Sequence, residues 1–184
     1  PLMLMISGEF RIALLTDHIP LKNVLDFINK DIVEKKIKVL EKCLVNDFKI
    51  NKPKIAVLAI NPHAGDNGLI GNEDELIIKP VINSFTGNTS TVYGPFSADT
   101  FFTNENYKKY DAIIAAYHDQ GLIPFKTISF GKGVNFSAGL SFIRTSPDHG
   151  TGFDIAGKGM ADHTSFTNAI KLGIELFKSR NNLV

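Results

Sequence analysis

The chain reads as an α/β protein, a sheet flanked by helices, and three observations carry that reading. Three short apolar runs stop abruptly at polar clusters: Phe10-Arg-Ile-Ala-Leu-Leu15 at Thr16-Asp17-His18, Lys54-Ile-Ala-Val-Leu-Ala-Ile60 at Asn61-Pro62-His63, and Asp111-Ala-Ile-Ile-Ala-Ala-Tyr117 at His118-Asp119-Gln120-Gly121. Runs of that length and composition suit buried strands. Between them lie segments whose apolar residues recur at three and four residue steps, as amphipathic helices require. Each run also ends in a histidine, and the chain has only 5 histidines to distribute. Ligands of open α/β sheets gather just beyond the carboxyl ends of strands, so these three tips are where chemistry is expected.

Composition excludes several function classes. The 184 residues suit one α/β lobe with ample length for a core, and 43% hydrophobic with 21% charged content is that of an ordinary globular chain. A net charge of +1 supplies no field for nucleic acid or an anionic membrane. The lysines around Lys35, Lys36 and Lys38 are balanced by Glu34 and Glu41, as on a solvated helix face. Cys43 is the single cysteine, so no internal disulfide is possible, and with neither a signal peptide nor a long apolar run a cytoplasmic setting is expected. The opening Pro1-Leu-Met-Leu-Met5 lacks a starter methionine and is already apolar, which reads as the middle of a longer protein.

In order, the strand ending at His18 leads to a helical region over about 21–48. Val24, Leu25, Ile28, Ile32, Val33, Ile37, Leu40 and Leu44 recur at three and four residue steps, an amphipathic helix pair with a break expected near Asn29-Lys30. Pro53 precedes the second strand. After His63 comes a glycine-rich loop over 65–71, then a helix capped by Asn72, with acids in its first turn, running towards Phe85. A short strand around Thr91 to Pro95 precedes Asp99, which reads either as an acid of the catalytic site or as a helix cap before Phe101-Phe102. Two strands are expected at Gly133 to Ser137 and Leu140 to Thr145, then a glycine-punctuated loop over 148–159. The final helix, about Ser165 to Phe177, carries Phe166, Ala169, Ile170 and Ile174 on one face.

Neutral imidazoles from separate strand ends, with a position left open, are a common way to hold a catalytic divalent ion, so His18, His63 and His118 are candidate ligands. Lys126, Asn135 and Arg144 are candidates for gripping a phosphate, the arginine with two parallel donors. Singly, Lys126 reads equally well as a solvated charge and Arg144 as half of a structural ion pair.

Five motifs, Asn61-Pro-His-Ala-Gly65, Tyr117-His-Asp-Gln-Gly-Leu122, Phe130-Gly-Lys-Gly-Val-Asn135, Phe142-Ile-Arg-Thr-Ser146 and Asp148-His-Gly-Thr151, stand in one order along the chain. Together they closely resemble the 4-hydroxythreonine-4-phosphate dehydrogenase family of pyridoxal phosphate (vitamin B6) biosynthesis. The resemblance implies an isocitrate/isopropylmalate-dehydrogenase-like lobe, part of a two-lobe enzyme, and a homodimer with its active site shared across the interface. It implies a divalent metal (zinc, magnesium or cobalt) on His18, His63 and His118, one of them from the partner subunit, and substrate on Lys126, Asn135 and Arg144. In the wider dehydrogenase superfamily a loop similar to His149 to Gly159 receives the adenosine end of the nucleotide, which assigns His149, Gly150 and Asp154 to NAD. Gly152 and Phe153 replace the usual Ala-Pro there.

The implied reaction is NAD-dependent oxidation of 4-phosphooxy-L-threonine to 2-amino-3-oxo-4-phosphooxybutanoate, which loses carbon dioxide to give 3-amino-2-oxopropyl phosphate. Asp99 or Asp119 would relay the proton. Family members are roughly twice this length, so a first lobe is expected to be missing and the chain to bind metal and dimerise without turnover. A related dehydrogenase of 4-phospho-threonate or 4-phospho-erythronate, and a non-catalytic metal-binding dimerisation module, remain open on the same residues.

Overall fold

The computed structural model describes residues 1–85 and 90–183. Its elements in order are β1 (Leu2–Ser7), β2 (Phe10–Leu14), a short helix α1 (Val24–Phe27), the long helix α2 (Lys30–Asn46), β3 (Lys54–Leu58), α3 (Lys79–Ser84), β4 (Thr91–Phe96), α4 (Ala98–Phe101), β5 (Ala112–Ala115), α5 (His118–Ser129), β6 (Val134–Ala138), β7 (Thr145–Pro147) and α6 (Thr164–Arg180). The seven strands form one sheet in the order β4-β3-β5-β2-β1-β6-β7. β4, β3, β5 and β2 run parallel, while β1, β6 and β7 each pair antiparallel to a neighbour.

Strand alternation divides the apolar residues between two faces. Val57, Ile55 and Ile114 join α2, α3 and Leu176 of α6 in one core. Ala56, Leu58 and Ile113 join Phe101, Leu122 and Phe125 of α4 and α5 in the other. The result is a sheet covered by helices on both sides, as expected for strands that are apolar on both faces.

The break expected near Asn29-Lys30 is present because Asn29 leaves helical geometry and its side chain accepts from Ile32 N at 3.0 Å, capping α2. At the far end Arg180 of α6 grips Asp47 with two nitrogens, Nε to Oδ1 at 2.8 Å and Nη2 to Oδ2 at 3.1 Å. That bidentate pair ties the last helix to α2. Beside it, burial pushes the Cys43 thiol up, which leaves it a packing residue rather than a nucleophile.

The apolar opening is a central strand: Leu2, Leu4 and Met5 are fully buried in β1, which pairs with β2 on one side and β6 on the other. Three local expectations differ from the structure. The second strand after Lys132 begins at Thr145 rather than Leu140, with only Ser137 N bonded to Arg144 O ahead of it. Asn72 does not cap the next helix with its side chain. That helix starts with a widened turn, Asp74–Ile78, in which Lys79 N reaches back five residues to Asp74 O. In α6 the apolar face faces outward: Ala169 and Leu176 are buried, while Phe166, Ile170, Ile174 and Phe177 are each about half exposed. Three- and four-residue spacing identifies a stripe but not the side on which the sheet lies, and here the sheet takes the neighbouring stripe.

Candidate active site

The four parallel strands present their carboxyl ends at one pole, in the order β4, β3, β5, β2, and this brings Asp99, His63, His118 with Asp119, and His18 to adjacent tips. Beyond β2 and β5 the ladder continues through Leu15 N to Ala115 O at 2.9 Å and Thr16 N to Ala116 O at 3.2 Å. Thr16 Oγ1 adds a second bond to the same Ala116 oxygen at 2.8 Å. His18 and His118 each stand two residues past that last pair, so their rings arrive at the same height. Their centroids are 5.4 Å apart and the planes are inclined by 48°.

His118 opens α5, with Tyr117 in extended geometry before it. Its Nδ1 lies 2.7 Å from Asp119 Oδ1, the carboxylate contact that orients an imidazole and leaves the other nitrogen free to ligate. A 290 Å³ cavity opens here, lined by Asp17, His18, Ile19, Leu21, Tyr117 and His118 among others. The helix can start this close to the sheet because residue 121 is glycine: a Cβ there would stand 2.7 Å from Leu14 Cδ2 and 3.0 Å from Ala115 Cβ.

His63 is placed differently. It enters a turn, Pro62–Gly68, in which His63, Ala64, Gly65, Asp66 and Asn67 all have φ between 43° and 80°. Consecutive left-handed residues other than glycine are unfavourable, so this run needs support from outside itself. Gly65 is required at its centre, since a Cβ would meet Gly71 O at 2.6 Å. Support comes from residues that pattern reasoning passed over. Asp74, fully buried, accepts from Ile60 N at 2.8 Å and Asn61 N at 2.9 Å. Gln120 accepts from Ala116 N and donates to Ala59 O, both at 2.7 Å. Asn61 Nδ2 donates to Glu73 Oε2 at 2.7 Å, and that bond holds the Glu73 carboxyl below the usual carboxylate range. The only signal in the sequence was the acid run 73–75, which also suits an ordinary first helical turn.

The imidazoles fit a borderline divalent ion in kind. Two rings bound at about 2.1 Å with a tetrahedral angle between them would have centroids on the order of 5 Å apart, close to what His18 and His118 show. The set is not complete in one chain: among the described residues no three histidine, cysteine, aspartate or glutamate side chains are grouped closely enough to hold an ion. His63 therefore stands apart from the His18–His118 pair in this chain.

The phosphate candidates share one face of the sheet rather than one contact. Asn135 and Ser137 point to the α5 side of β6, and Arg144 donates through Nη1 to Ser137 Oγ at 3.0 Å. Arg144 makes no ion pair among the described residues, whereas Lys126 does, with Asp148 at 3.3 Å, so the two alternative readings are reversed. Asn135 Oδ1 is buried with no hydrogen-bond partner among the described residues, an acceptor awaiting a donor. Ser137 lies at the same pole as His18, because Ala138 pairs with Leu2 while Leu4 pairs with Ala13. Lys126 stands two helical turns below His118, roughly 12 Å along α5.

Asp99 is exposed in the first turn of α4, which packs against the His63 turn. In the 148–159 loop, His149 Nδ1 lies 3.0 Å from Gly150 O and Asp154 is exposed. Short turns close at Ile155 N to Gly152 O and Lys158 N to Ile155 O. A Cβ at Gly150, Gly157 or Gly159 would meet nothing within 4 Å, so this backbone is open to close approach by a ligand.

Residues 1–173 match the family model described as pyridoxal phosphate biosynthetic protein PdxA. The chain belongs to the PdxA family. A relative named 4-hydroxythreonine-4-phosphate dehydrogenase, from Bacteroides thetaiotaomicron, is 46% identical over 97% of this chain and 49% of its own length. The crystal structure of 4-hydroxythreonine-4-phosphate dehydrogenase from Klebsiella pneumoniae superposes with a TM-score of 0.83 at 40% identity, over 95% of this chain and 53% of that one. A terephthalate 1,2-cis-dihydrodiol dehydrogenase from Burkholderia xenovorans LB400 superposes with a TM-score of 0.75 at 34% identity, over 95% and 55%. The chain thus spans about half the length of the relatives it matches. No described helix is long and apolar enough to cross a membrane.

Proposed function

We propose that this chain carries the metal and phosphate half of a site for NAD-dependent oxidation of 4-phosphooxy-L-threonine, in the pyridoxal phosphate biosynthesis that the description of its family names. The observation that carries the reading is the His18–His118 pair at the strand tips, 5.4 Å apart, in a chain of this family. In a homodimer, His18 and His118 of one protomer would meet His63 of the other. This pairing rests on which rings adjoin within one chain.

A zinc, cobalt or magnesium ion on these imidazoles would favour the ionised substrate hydroxyl, and NAD would take the hydride. The chain's own groups do the rest. Asp119 holds His118 in one orientation through Nδ1. Arg144, free of carboxylates, presents a planar fork to the phosphate, and Asn135 Oδ1 accepts from the substrate's ammonium or hydroxyl. Lys126 joins them only by leaving Asp148. Asp119 is engaged with His118, which leaves Asp99 as the candidate for moving the substrate proton. His149, Gly150 and Asp154 would line the adenosine side, the Asp154 carboxylate accepting from the ribose hydroxyls.

A 4-phospho-threonate or 4-phospho-erythronate substrate is the second reading, favoured by the same fold in a protein named for a dihydrodiol. One experiment separates them: calorimetric binding of 4-phosphooxy-L-threonine and of 4-phospho-erythronate to the cobalt-loaded protein, followed by NADH absorbance with each in a protein extended to the relatives' length. Preference for the amine-bearing compound in both supports the first reading; preference for the erythronate replaces it. Cobalt binding and a dimer without NADH from either would leave the metal-binding module.

A further inference from the structure

The exit of β3 is braced by side chains to a degree that the fold alone does not demand. Three successive backbone groups, Ala59 O, Ile60 N and Asn61 N, are each taken by a side chain from a distant element: Gln120 takes the first and Asp74 the other two. Asp74 is fully buried and forms no ion pair among the described residues. An unpaired buried carboxylate is costly, and two short amide donors with a helix start are its only compensation. Gln120 lies two residues past His118, and its two amide atoms span the gap from the β5 tip to the β3 tip. Immediately beyond the brace begins the left-handed run that carries His63.

We propose that Asp74 and Gln120 are positioning residues that together set where His63 stands on its own chain, holding the strained turn in the one geometry in which His63 can complete a metal site with the partner's imidazoles. The inference rests on the metal reading above. It adds that the carboxylate and the amide act through His63, not merely on stability. Removing either brace frees the turn to relax toward ordinary backbone angles, and a ligand displaced by about 1 Å is a poor one.

The test uses cobalt(II) alone, read by its visible absorption and by calorimetry, on the protein and its variants. Asp74→Asn turns one acceptor into a donor facing a backbone N–H. Gln120→Glu keeps the acceptor for Ala116 N and sets a second acceptor against Ala59 O. Val81→Ala, buried in the other end of that helix region, serves as a control that lowers stability without touching the brace. Cobalt affinity is expected to fall at least about tenfold in Asp74→Asn and in Gln120→Glu, the scale of an outer-shell loss, and to stay within about twofold in Val81→Ala at equal or greater loss of Tm. Unchanged affinity in both braced variants, or a fall no larger than in the control, overturns the proposal. If Asp74→Asn does not fold, the half-buried Gln120 decides alone. Failure of the metal reading looks different: the wild type then binds no cobalt, or His63→Ala binds it as well as the wild type, and the proposal falls with it.

Discussion

The His18 and His118 rings lie 5.4 Å apart because Thr16 and Ala116, each two residues earlier, are the last bonded pair of two parallel strands. Metal binding should therefore depend on both. His18→Ala or His118→Ala should each abolish stoichiometric zinc or cobalt in the purified protein by elemental analysis. Full metal content in either variant would exclude the pair.

Arg144 donates to a neutral serine and, among the described residues, to no carboxylate, so its charge is available to a phosphate. Arg144→Lys keeps the charge and loses the fork, and affinity for a phosphorylated substrate analogue should fall by about 1–3 kcal/mol. Calorimetry giving equal affinity would remove Arg144 from the phosphate site.

Asp154 stands exposed on the open-backboned loop. A carboxylate against the ribose would repel a 2′-phosphate, so NAD should bind more tightly than NADP and Asp154→Lys should narrow or reverse the ratio. A ratio unmoved by the substitution would place the nucleotide elsewhere.

The two stripes of α6 should differ in what they contribute. Leu176 is 2% exposed and packs in the core, so Leu176→Ala should cost about 2–5 kcal/mol in urea unfolding. Ile174 is 54% exposed, and Ile174→Ala should cost less than about 1 kcal/mol. Equal costs would mean the outward stripe is covered in solution.

Glu73 should give a small acid-range effect of defined sign. The Asn61 hydrogen bond lowers its folded pKa, so its contribution is fully present above the ordinary carboxylate value, about 4.3, and is lost as pH falls through the lowered value. Glu73→Gln should lose less stability than the wild type on that descent, and Asn61→Ala should erase the difference. Parallel curves of Tm against pH would show that the bond does not act in solution.

Much of this molecule is determined by local pattern. Each strand run with its polar terminus announces a buried strand and a polar tip, because apolar length and an abrupt polar stop are short-range properties. The break at Asn29 is equally local, a side chain capping its own helix. The five motifs carry the family membership that residues 1–173 bear out. Tertiary structure decided what depends on partners far away in sequence. Leu2 to Met5 became a central strand because β2 and β6 lie on either side of it. The buried side of α6 followed from where the sheet stood, not from which of its stripes is the more apolar. His18 met His118, and not His63, because β2 pairs with β5 while His63 opens a left-handed turn that no spacing foretells. Asp74 looks like any first-turn acid until the β3 exit is folded against it, since backbone N–H groups left over at a strand end carry no mark in the sequence.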